Sequence, residues 1–151
     1  MMFYIITYAL TVLGAFGVVT VVEAATGGDK LSDFKGLSRR APGLSLCLLI
    51  FLLSLGGIPP LAGFIGKFFL FSAVADVGGR LGLLWLVILA IAMSAVSFYY
   101  YLRVLKAAYV EDAAGGAPII QVPSLTMLAL VLLAALVVLF GCAPGWLMRF
   151  L

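Results

Sequence analysis

From Met2 to Val22 the chain runs without a single charged residue. A helix rising about 1.5 Å per residue over that stretch spans a hydrocarbon core of roughly 30 Å. Inside a bilayer every backbone N–H and C=O must be paired within the protein, which admits only helices and closed barrels. The apolar runs here are continuous rather than alternating, so they predict helices. Composition agrees: the chain is 66% hydrophobic and 10% charged, where a soluble domain is about half apolar and about a quarter charged. The first run has no basic residues before it and is too long for a secretory leader. Gly14 and Gly17 give it a small-residue stripe suited to close helix contact.

The predicted fold is an all-α integral membrane domain covering residues 1–151. It has four transmembrane helices at about 2–22, 44–74, 81–109 and 123–142, the second discontinuous at 56–60. The second apolar segment is too long for one straight crossing. It contains Gly56-Gly57-Ile58-Pro59-Pro60, where two glycines weaken the helix and two prolines lack amide donors. Such a break is tolerated at membrane depth only beside protein or a polar cavity. Between the first two segments, Leu31, Phe34 and Leu37 recur at spacing three beside charged neighbours. They fit a short helix on the membrane surface or an irregular loop. The third segment is bracketed by Arg80 and Arg103 and ends in the aromatic run Tyr99-Tyr100-Tyr101. Pro123 suits the start of the fourth, and Pro144 follows its end.

Orientation follows from the basic residues. Lys30, Lys35, Arg39, Arg40, Arg103 and Lys106 fall on one side if all four segments span, and Arg80 and Arg149 on the other. The positive-inside rule predicts a cytoplasmic face for the first set, with both termini on the non-cytoplasmic side.

Lys67 is the only charge in the second segment, seven residues beyond Pro60, about 10 Å along a helix. An intramembrane charge costs about 2.5–3.5 kcal/mol on insertion scales and marks function by default. Snorkelling to the interface is the alternative. Gly63 and Gly66 beside it allow another helix to approach and favour an inward position. Burial favours a neutral amine and a nearby carboxylate favours the ammonium, so a buried lysine with a switchable acidic neighbour can take and release a proton. The acids Glu23, Asp76, Glu111 and Asp112 all fall at segment ends or in loops. Any carboxylate that tunes Lys67 is therefore expected outside this chain.

Ser94, Ser97 and Tyr101 share one face of the third segment and could line a hydrated path with Lys67. Interhelical hydrogen bonding or interface anchoring is the other reading. The chain has no histidine, and Cys47 and Cys142 lie in different apolar segments, so a metal or iron–sulfur site is not expected and both read as packing residues. There is no phosphate-binding loop, catalytic triad or nucleic-acid signature.

The stretch from Asp33-Phe34-Lys35-Gly36-Leu37-Ser38-Arg39-Arg40-Ala41-Pro42 through Leu53-Ser54-Leu55-Gly56-Gly57-Ile58-Pro59-Pro60-Leu61-Ala62-Gly63-Phe64-Ile65-Gly66-Lys67-Phe68 resembles the N subunits of proton-pumping NADH-quinone oxidoreductase, respiratory complex I. Tyr8-Ala9-Leu10, Gly14-Ala15-Phe16 and Tyr99-Tyr100-Tyr101-Leu102-Arg103 are similar to the same family. The resemblance is specific at the broken helix, where the related M subunits usually carry glutamate in place of Lys67. It implies an antiporter-like fold of fourteen helices in two inverted repeats, of which this chain matches the C-terminal four. Gly56, Gly57, Pro59 and Pro60 then match the break, and Lys67 the proton-relaying lysine on the second discontinuous helix.

The resemblance implies a proton-translocating membrane subunit with no redox centre of its own, within a redox-driven translocase. NADH, FMN, iron–sulfur clusters and quinone are expected in partner subunits, not here. The partners the resemblance implies are other membrane subunits and the lipid bilayer, with no nucleic acid and no small-molecule substrate bound by this chain except protons. The expected location is the bacterial inner membrane. The family's first half-channel and its central glutamate–lysine pair have no counterpart, so a fragment, a truncated gene or a split subunit is expected. Two other classes remain open: a structural four-helix scaffold, and a subunit of a related cation/proton antiporter or membrane hydrogenase.

Overall fold

A computed structural model describes residues 2–77, 84–113 and 119–145, with the side chains of 73–77 and 84 left aside. Helix α1 runs Met2–Thr26, α2 Leu37–Arg40, α3 Pro42–Gly56, α4 Ala62–Val77, α5 Leu84–Tyr109 and α6 Ser124–Cys142, with one 3-10 turn at Leu31–Phe34. Three stretches are long and apolar enough to cross a membrane: α1, Trp85–Tyr109 of α5, and α6. Helices α3 and α4 are shorter and apolar. The expected helix start at Leu81, with Arg80, Trp146 and Arg149, lies outside the described residues.

Helix α1 continues four residues past its expected end at Val22, taking in Glu23. Gly27, at φ +77°, stops it there while donating its N–H to the Glu23 carbonyl at 2.7 Å. The extension carries the chain out of the apolar run without breaking the hydrogen-bond ladder. Within α1, Thr7 and Thr11 are buried, and their hydroxyls donate to the carbonyls of Phe3 and Thr7 at 2.8 and 2.6 Å. That back-bonding lets a hydroxyl sit inside an apolar layer.

Helix α1 packs on α3, α4 and α6 through its glycines. A methyl group at Gly14 would lie 2.2 Å from the Phe51 ring of α3, and one at Gly17 would lie 2.9 Å from Leu130 of α6. Phe51, Val18, Val22, Leu44, Leu48 and Val137 form the centre of the core at 0–1% exposure. Hydrogen at the glycine positions lets these large side chains interdigitate at the density of a protein interior.

Of the two alternatives expected for it, the segment between α1 and α3 takes short helical structure, with its apolar side turned to the core. It forms the 3-10 turn and the single-turn α2, joined at Gly36 with φ +65°. Phe34 and Leu37 are buried in the core rather than facing lipid. Gly36 donates its N–H to the Ala107 carbonyl of α5 at 3.2 Å. Lys35 pairs with Glu111 at 3.0 Å, and Arg39 with Asp112. The apolar spacing thus marks an internal face, because the end of α5 stands where lipid would have been.

Helix α6 reaches the α3–α4 junction through Gly141. A methyl group there would sit 2.1 Å from the Pro60 carbonyl oxygen and 2.6 Å from the Ala62 nitrogen. These are backbone atoms at a turn and cannot swing aside. Gly141→Ala is expected to destabilise the fold by about 1–3 kcal/mol through overpacking. Gly145→Ala, with nothing within 4 Å, is expected to leave the thermal unfolding midpoint in detergent unchanged.

Candidate functional site

The junction between α3 and α4 builds the site. Helix α3 closes on Gly57, at φ +81°, whose N–H donates to the Ser54 carbonyl at 3.0 Å. The Ile58 N–H donates to Leu53 at 3.1 Å. This pair of bonds is the Schellman closure, which satisfies two of the last carbonyls of a helix. The Leu55 carbonyl comes next. In a continuing helix it would accept from residue 59, but Pro59 has no N–H.

Lys67 takes that carbonyl. Its Nζ donates to Leu55 O at 2.9 Å and to Ser94 Oγ of α5 at 3.3 Å. The side chain is half-buried and reaches back from α4 across the junction. It also lies close to Gly57, where a methyl group would be 3.4 Å from its Cδ. The ammonium therefore stands at the C-terminal end of α3, where the helix dipole favours a cation. Hydrogen bonds involving a charged group are worth about 1.5–3 kcal/mol each. Two of them are of the size needed to offset an insertion cost of about 2.5–3.5 kcal/mol.

Two glycines of α4 admit this geometry. A methyl group at Gly63 would lie 1.8 Å from the Ser54 carbonyl oxygen, and one at Gly66 would meet the Tyr4 ring at 2.9 Å. Gly63 also donates its N–H to Ser54 Oγ at 3.1 Å, so a side chain of α3 satisfies a first-turn amide of α4. Gly56 faces the Phe98 ring of α5. The junction is thus backed by α1, α5 and α6, while Pro59 and Pro60 themselves are exposed.

Lys67 borders a small cavity of about 10 Å³ between α1 and the junction, lined also by Thr7, Thr11, Ser54, Tyr4 and Tyr8. Of the three polar residues expected on α5, Ser94 reaches Lys67 and the others do not. Ser97 is exposed and donates to the Met93 carbonyl at 3.1 Å. Tyr101 packs toward a separate apolar groove with Leu48 and Leu52. Sequence reasoning missed the Leu55 carbonyl, Ser54, Thr7 and Thr11. The carbonyl was legible as the acceptor four residues before a proline.

The acids lie elsewhere. Glu111 and Asp112 hold the loop cations, and among the described residues no group of three or more His, Cys, Asp or Glu could hold a metal. Cys47 and Cys142 are free thiols along the groove between α3 and α6.

With this geometry in hand, the comparisons decide the family. The family model described as NADH:quinone oxidoreductase/Mrp antiporter, TM, matches residues 1–97. The chain belongs to this family. It is 55% identical over its whole length to NADH-quinone oxidoreductase subunit N 2 of Acidobacterium capsulatum, covering 30% of that protein. It is 45% identical over 97% of its length to subunit N 2 of Herpetosiphon aurantiacus, covering 26%. The fold matches a chain of respiratory complex I from Thermus thermophilus with bound aureothin at a TM-score of 0.75 and 35% identity, over 92% of this chain and 32% of that one. The chain thus spans about three-tenths of the length of the relatives it matches. It is an all-α, multi-span membrane protein of the antiporter-like kind.

Ser54→Ala leaves the half-buried Gly63 amide without this acceptor. A loss of about 1–2 kcal/mol is expected, read as a lower unfolding midpoint in detergent. Ser54→Thr, which keeps the hydroxyl, is expected to retain most of it.

Proposed function

We propose that this chain carries a proton-relay site of a subunit N in an NADH-quinone oxidoreductase, with Lys67 as the relay residue. The observation that carries the reading is the bond from Lys67 to the Leu55 carbonyl at the helix junction. It supports a lysine held at membrane depth by dipoles, with a hydroxyl on its other side. Helices α3 and α4 are the two halves of one discontinuous crossing, giving four crossings with α1, α5 and α6. A broken helix whose C-terminal end holds a cation is how membrane transporters commonly site coupling ions.

The chain's residues match the C-terminal four helices of the fourteen-helix antiporter-like arrangement. Partner membrane subunits, or parts of subunit N outside this chain, complete the path and supply the carboxylate that switches Lys67. NADH oxidation and quinone reduction, with FMN and iron–sulfur clusters, belong to other subunits. The basic end, with Lys35, Arg39 and Arg40, faces the cytoplasm, and both termini face away from it. Membership in a family that also includes Mrp antiporters keeps ion/proton antiport as the second reading. The subunit N relatives favour the first.

Lys67→Ala is expected to abolish coupled proton uptake into membrane vesicles while the complex still assembles. Unchanged pumping would sink the relay reading, and failed assembly would favour a scaffold. A cysteine placed at the exposed turn residue Ser32 or at Arg39 is expected to react with an impermeant thiol reagent in inside-out vesicles only. Reaction in right-side-out vesicles would reverse the orientation.

A further inference from the structure

The cavity beside Lys67 has a donor and acceptor pattern that the relay reading does not use. A lysine ammonium has three N–H donors. Leu55 O and Ser94 Oγ take two of them. Ser54 Oγ accepts from the Gly63 amide, which leaves its own hydrogen to give. Thr7 and Thr11 are the reverse. Both hydroxyl hydrogens are committed along α1, to Phe3 O at 2.8 Å and Thr7 O at 2.6 Å. Their oxygens therefore bring lone pairs only. Both residues are 1% exposed, and Ser54 is fully buried. Thr7 Oγ1 lies 3.6 Å from where a methyl group on Gly66 would be, so it is turned toward α4.

These four residues line one cavity of about 10 Å³, which is about the room one water needs. Tyr4 and Tyr8 complete the polar lining; the two donors of Lys67 and Ser54 and the two acceptors of Thr7 and Thr11 match the four hydrogen bonds a water can make. We propose that this cavity binds one ordered water, which accepts from Lys67 and Ser54 and donates to Thr7 and Thr11. The two threonines are then positioning residues for the relay lysine. They fix the direction of the water, because lone pairs on α1 oblige it to turn its oxygen toward the ammonium. Lys67 so has a hydroxyl arm on each side, Ser94 on α5 and the water with its threonines on α1. A methyl group on Gly66 would also meet the Tyr4 ring at 2.9 Å, so the close approach of α4 to α1 on this side depends on that glycine.

The inference rests on Lys67 as the relay residue, and its test separates the two. Proton translocation is measured in vesicles holding the whole complex, for Thr7→Val with Thr11→Val, for Thr7→Ser with Thr11→Ser, and for Thr20→Val. Thr20 makes the same back-bond, to Phe16 O at 3.0 Å, on the exposed side of α1. The valine pair is expected to lower translocation about fivefold, the size of one net hydrogen bond. NADH-driven quinone reduction is measured in the same vesicles, so that translocation is expressed per NADH oxidised. The serine pair is expected to restore translocation, and Thr20→Val to leave it unchanged. A valine pair no worse than Thr20→Val, or a serine pair as poor as the valine pair, overturns the proposal.

If the valine pair does not assemble, an experimental map of the intact complex decides. A water within hydrogen-bond distance of Lys67 Nζ and both threonine oxygens supports the site. A map that resolves waters elsewhere in this layer and none here overturns it. Lys67→Ala is measured alongside. Intact pumping in that variant refutes the relay reading, whereas its loss beside a harmless valine pair refutes the water site alone.

Discussion

The structure turns on one carbonyl. Pro59 has no amide hydrogen, so α3 ends with the Leu55 oxygen unclaimed by its own helix. On the proposed reading the junction lies at membrane depth, where no bulk water can claim it either. The Lys67 ammonium meets it at 2.9 Å. Two groups that would each be costly in hydrocarbon thereby settle one another. A carbonyl without a donor loses about 1–3 kcal/mol, and an unpaired lysine at mid-membrane loses about as much on insertion scales. The bond between them satisfies both groups at the junction of α3 and α4.

The glycines follow from that bond. For Lys67 to reach back over the end of α3, α4 must start close against it. The Gly63 position leaves 1.8 Å between a would-be methyl group and the Ser54 oxygen, and Gly141 of α6 leaves 2.1 Å to the Pro60 oxygen. Gly66 and Gly56 give the same closeness to Tyr4 and Phe98. Membrane helices gain little from burying apolar surface against one another, because lipid is equally apolar. Close backbone approach is what holds them, and here it is concentrated around the junction.

Much of this was legible in the sequence. The all-α, multi-span class, and the end of α3 at Gly56 with Lys67 beside it on α4, follow from charge, length and proline chemistry. Ser94 was legible as a polar residue on one face of its helix, and Lys67 binds it. Ser97 and Tyr101 share the same pattern, but helical spacing says which residues share a face and not which one meets a neighbour's side chain. The loop at Leu31 to Leu37 showed an amphipathic spacing whose apolar side faces the core, since spacing reports a buried face without naming what buries it. The carboxylate sought for Lys67 was a search among side chains. The partner in this chain is a main-chain group, visible only on asking where each backbone bond goes.

That difference bears on how a relay lysine can work. A carboxylate held 4 Å from Lys67 by the same chain would contribute about 4 kcal/mol at an effective dielectric of 20, and would do so permanently. Such a pair would keep the ammonium charged through every step. A carbonyl and a hydroxyl stabilise the charge through dipoles of fixed direction, by less per contact and without a countercharge. The hydroxyl can also turn to donate when the amine is neutral, which a carboxylate cannot do. On the proposed reading, the chain therefore supplies a resting place for the proton that either charge state can occupy. The large electrostatic term is left to a group outside this chain. A relay needs that division, because the group that holds a proton and the group that drives it off cannot be the same fixed charge.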